Sequence, residues 1–192
     1  MGWLLVLFLA CPSAAWAAVV IKNQDGFTEG ADTNLRDHVP NIGTSWSTEG
    51  GAADLIVNAA LGVATHNLAS GAGRHAVETT DLTTAIHDVF GNLLLSAVTV
   101  DDKAAVMGRT ETASSGSQNN YKGRRTGDAT NIDVDLAVTV SGTETILGSY
   151  ADNAAGNTLR TIKLQITTAT KKVFVDTIER ISSTDNQLTT LT

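Results

Sequence analysis

Tyr121-Lys122-Gly123-Arg124-Arg125 is the densest basic run in a chain whose net charge is -7. An aromatic ring beside guanidinium groups suits a sugar: the ring stacks on the apolar face, and the guanidinium donates to hydroxyls or a carboxylate. On a strand, Tyr121 and Arg125 share one face, and Lys122 and Arg124 the other. One binding surface therefore uses one set. The plainer role is a wet strand whose cations pair with acidic neighbours in the same or an adjoining subunit. Trp46 is the third of three tryptophans, and Trp3 and Trp16 both lie in an apolar leader. Trp46 either anchors packing or offers a stacking platform. The candidate carbohydrate-binding residues are thus Trp46, Tyr121 and Arg125.

Other chemistries lack their residue patterns. A glycosidase needs two carboxylates flanking the bond it cleaves. Glucanases on sandwich folds carry them as Glu-x-Asp-x-Glu on one strand, and this chain has no such run. Asp133-x-Asp135 comes nearest and reads as a solvated strand face. Glu78 and Asp81 lack the spacing. There is no Gly-x-Ser-x-Gly elbow, and the single cysteine, Cys11, lies in the leader. No enzymatic activity is expected, so no catalytic residue is assigned. His38, His66, His75 and His87 show no metal-motif spacing, so no metal ligand is assigned either. Asp25, Asp32, Asp101 and Asp102 fall in turns. A structural calcium there would need only carboxylates and carbonyls, although solvated turn residues explain them as well.

The first 17 residues, MGWLLVLFLACPSAAWA, are uncharged and mostly apolar. Ala15-Trp16-Ala17 fits a small-x-small cleavage site, so residues 1–17 read as a secretory signal. No Lys or Arg precedes the apolar stretch. The residues before Cys11 fit a lipidation signal poorly. Residues 18–192 are expected to form one secreted domain without disulfides, N-glycosylation sequons or stable membrane insertion. Its acidity disfavours nucleic acid as a partner. Ala18, Val19, Val20, Ile21 and Lys22 make a short strand at the new amino terminus. That strand (within 18–24) is either an edge of its own domain or exchanged into a neighbour's sheet.

The remaining pattern is strand. In Ile132–Val140 every second residue is apolar. Ile162, Leu164 and Ile166 alternate with Thr161, Lys163 and Gln165, which marks a half-buried strand. Val173 and Val175 share a face after a short spacer, making a hairpin. Shorter strands are expected at 53–58, 62–66, 74–80, 84–90, 93–100, 104–109, 121–126 and 145–150. One helical turn could follow Thr80 or Asp81. Asp133 and Asp135 are expected in water, because an unpaired buried carboxylate is too costly. Residues 25–51 read as a long ordered loop.

Within that loop, Asp25-x-Phe27, Leu35, His38-x-Pro40, Gly43-x-x-Trp46 and Gly50 resemble the opening of concanavalin A-like or laminin G-like jelly-roll domains of bacterial and phage surface proteins. The resemblance extends to about Asn186, with Asp176-Thr177 standing where such domains often turn through Asp-Gly. It implies an all-β, two-sheet antiparallel jelly-roll sandwich. It also implies one further strand near the end, where Leu188 and Leu191 make a weak one. Two functions follow as expectations. The first is a non-catalytic structural subunit of an extracellular fibre, appendage or particle coat, self-associating through sandwich contacts. The alternative is a lectin-like surface protein binding a glycan.

Overall fold

The computed structural model describes residues 26–27, 29–42, 46–49, 55–60, 63–66, 75–78, 86–95, 103–111, 119–127, 131–154 and 158–188. The signal, the strand at 18–22 and the helical turn expected after Thr80 lie outside them. The strands are β1 (Thr33–Asn34), β2 (Trp46–Glu49), β3 (Leu55–Asn58), β4 (Val63–His66), β5 (His75–Glu78), β6 (His87–Leu93) and β7 (Lys103–Glu111). They continue as β8 (Asn119–Gly127), β9 (Ile132–Val140), β10 (Thr143–Ala151), β11 (Arg160–Ile166), β12 (Lys171–Val175) and β13 (Ile178–Ser183). A 3-10 turn covers Leu35–Asp37.

Two antiparallel four-stranded sheets build the sandwich, in the orders β10-β9-β8-β7 and β13-β12-β11-β6. A three-stranded sheet, β1-β3-β4, and the pair β2-β5 come from the first half of the chain. The segment read as one long loop therefore contains β1, the 3-10 turn and β2, and Trp46 opens β2. Its frequent turn residues hid strands only two and four residues long.

The interior follows from alternation. Val134, Leu136 and Val138 of β9 face Ile162, Leu164 and Ile166 of β11, with Val173 and Val175 of β12 beside them. All eight are buried. Each contributes about 1.5–3 kcal/mol by leaving water, so this layer dominates the stability. Gly123 lies on the inward face of β8 between Tyr121 and Arg125. A Cβ there would stand 3.3 Å from Ile162 Cγ2 and 3.4 Å from Val173 Cγ2, so the glycine lets the sheets close between two large side chains.

Two expectations are corrected. The strand near residue 90 spans His87–Leu93, running through the break expected between 84–90 and 93–100, and Leu94 is exposed beyond its end; residues 84–85 and 96–100 lie outside the described residues. Asp135 is buried, not wet. It stands opposite Arg124 on one side and Ser149 on the other. Arg124 Nε lies 3.1 Å away, Ser149 Oγ 2.6 Å and Thr126 Oγ1 3.3 Å. A carboxylate with three donors escapes the penalty that the wet reading assumed. After β12 the chain turns at Asp176 and Thr177, where the resemblance places a turn, with φ values of 47° and 76°, and adds β13. Asp176 Oδ1 accepts from the Thr161 amide at 2.9 Å, which ties this turn to β11.

Candidate functional site

The basic strand β8 alternates as its sequence requires, but the set with Tyr121 points inward. Lys122 and Arg124 turn to the other face and both bind Glu144; Lys122 Nζ is 2.9 Å from it. Burial pushes the Glu144 carboxyl up, and the hydrogen bonds and charges of Lys122 and Arg124 outweigh it, leaving it below its ordinary value. The role as a strand pairing with acidic neighbours of its own subunit is the one this face adopts.

Tyr121 and Arg125 are both fully buried, so neither presents a surface to a sugar. Arg125 Nη1 donates to the carbonyls of Leu93 (3.1 Å) and Thr158 (2.6 Å), and Nη2 to Asp152 Oδ2 (3.3 Å). Burial lowers the Arg125 pKa, with Asp152 opposing. Arg160 closes the group, its Nε 3.2 Å from Asp152 Oδ2. The hydrogen bond to Asp152 is the main cause that raises the Arg160 pKa. At the other end of β8, the Tyr121 hydroxyl donates to Asp185 Oδ2 at 2.9 Å and accepts from the Leu188 amide at 3.3 Å. Sequence alternation paired Tyr121 with Arg125 correctly. It could not say which face was the interior, because both sets on β8 are polar. The side chain of Trp46 lies outside the described residues.

His38 is buried with Nδ1 2.6 Å from Glu29 Oε1, and its ring meets Phe27 at 5.8 Å. Asp32 Oδ1 accepts from the Ala59 amide at 2.9 Å; Asp25, Asp101 and Asp102 lie outside the described residues. Among the described residues no group of three His, Cys, Asp or Glu side chains is placed to hold a metal.

The outer face of β6, β11 and β12 is the surface with the means to bind. Its register sets Phe90 opposite Lys163, and Lys163 opposite Phe174. The next row sets Asp88 opposite Gln165, and Gln165 opposite Lys172. Two rings thus stand two strand spacings apart, about 9.6 Å between backbones. Phe90 is 69% exposed. Lys163 Nζ lies 4.1 Å from the centre of the Phe174 ring and 3.3 Å from Asp88 Oδ2. Thr161 Oγ1 donates to Asn92 Oδ1 at 2.8 Å, and Lys172 Nζ to Glu179 Oε2 at 2.7 Å. Adjacent polar side chains thus hold one another in place around the rings. The sequence carried the signal for this face: once Val173 and Val175 point inward, Phe174 must point out.

The chain's structure is similar to that of the carbohydrate-binding module CBM66 from Bacillus subtilis, at 14% identity and a TM-score of 0.48. The likeness covers 57% of this chain and 64% of the module, less than two thirds of its length. No family model matches the sequence, and no curated protein does.

Proposed function

We propose that this chain is a non-catalytic, secreted carbohydrate-binding protein that presents the outer face of β6, β11 and β12 to a glycan. The observation that carries the reading is Phe90, a ring left 69% exposed on a sheet face shared with Phe174 and interleaved with Asp88, Gln165 and Asn92. A pyranose has an apolar face for such a ring and equatorial hydroxyls for the flanking carboxylate and amides. The spacing of the rings suits a chain of sugars lying across the strands more than a single buried residue. The signal at 1–17 is what supports secretion, and the missing carboxylate pattern is what supports a non-catalytic role.

The test is binding of the purified protein to a broad glycan array. Wild type is expected to bind at least one class of glycan. Phe90→Ala is expected to abolish that binding while shifting unfolding stability by less than about 0.5 kcal/mol, since an exposed ring holds little of the fold. Silence across the array would reject the reading.

A second reading has its own observation. Phe90 projects from the outer side of β6, and Ile86 and Leu94, which flank that strand, are exposed too, as is Leu159 just before β11. Exposed apolar side chains of this kind favour self-association, as a structural subunit of a fibre or coat would require. Light scattering separates the two: a monomer that binds glycan supports the first, and an assembly dispersed by Ile86→Lys supports the second.

A further inference from the structure

Lys171 is a lysine set deep in the interior. It sits on the inner face of β12 opposite Ile166 and is fully buried. Its Nζ lies 5.2 Å from the centre of the Tyr121 ring. It donates to Asn186 Oδ1 at 2.7 Å, one bond from the Asn186 carboxamide carbon. Asp185 is the adjacent residue, held by the Tyr121 hydroxyl and by the Gln187 side chain at 2.9 Å each. Burial raises the Asp185 carboxyl, but its donors and the Lys171 charge hold it below the ordinary value. An amine, a carboxamide and a carboxylate thus come together where the interior reaches the surface.

We propose that Lys171 and Asn186 form an intramolecular isopeptide bond, with Asp185 carrying the proton. Asp185 takes one proton from the ammonium, leaving a neutral amine. The Nζ lone pair attacks Cγ of Asn186. The Cγ–Nδ2 bond breaks as the attacking nitrogen passes a second proton to Nδ2. Ammonia leaves and takes the first proton from Asp185, so ammonium is released and no oxidant is needed. Attack is favoured because the hydrogen bond already holds the two side chains together. Asn186 lies at the surface, which gives the leaving group a path to water.

Intact-mass spectrometry of the purified protein tests this. The protein is expected to be lighter by one ammonia than its chain requires. Protease digestion is expected to give a branched peptide joining the Lys171 and Asn186 segments, with cleavage after Lys171 blocked. Lys171→Met and Asn186→Ala are each expected to restore the full mass. A wild-type chain of full mass, or an ammonia deficit that persists in Lys171→Met, would overturn the proposal. The wild-type measurement decides the matter even where a variant fails to fold.

Discussion

The interior carries a cation at each end of β8, and the two are held in different ways. Arg125 has two backbone carbonyls and the Asp152 carboxylate, and Asp152 is shared with Arg160. Its Nη1 and Nη2 donate to these fixed acceptors, while its buried Nε has none. Lys171 donates to the Asn186 carboxamide and lies near the Tyr121 ring. The guanidinium joins β8 to the end of β6, to the residue after β10 and to the approach to β11. An amine beside a carboxamide has a reaction open to it that a guanidinium lacks. The difference lies in the residue type as much as in the site, because Arg stays charged when buried while Lys gives up its proton more readily.

The largest expected effect comes from the Arg125 end. Asp152→Ala leaves a fully buried guanidinium without its carboxylate and is expected to lower stability by about 3–5 kcal/mol in urea unfolding. At the Lys171 end, Asn186→Ala distinguishes a covalent tie from a hydrogen bond. Losing a cross-link across the 15 residues that separate the two side chains is expected to lower stability by about 3 kcal/mol. Losing a hydrogen bond alone would lower it by about 1 kcal/mol. The smallest effect is that of acid. Glu144 and Asp185 are both held below their ordinary values. Their contribution is therefore complete above the ordinary carboxylate range and is lost as pH falls through the lowered values. Thermal unfolding at stepwise lower pH is expected to show that loss, and Glu144→Gln is expected to reduce it.

The sandwich was legible where one face of a strand is uniformly apolar. In β9 and β11 the hydrophobic period fixed both the element and its inner side. In β8 the same alternation separated the side chains into two sets without saying which set was covered, because tyrosine and arginine do not announce burial. Asp135 misled for a related reason. The alternation put it on the correct face of β9, but a rule about unpaired carboxylates makes that face wet when the partner, Arg124, lies on the adjacent strand 11 residues away. The strand expected at 84–90 stopped short of Gly91 and Asn92, which dilute the pattern of β6 before Leu93 ends it.

One feature of the topology bears on how the nascent chain matures. The meander β7 to β10 pairs each strand with its sequence neighbour, so it can assemble as it leaves the ribosome. β6 precedes it yet belongs to the other sheet, where its partners on β11 lie 69 and 75 residues downstream. Until β11 has been synthesised, Val89 and Leu93 have no sheet to complete, and β6 is the segment most open to wrong pairing.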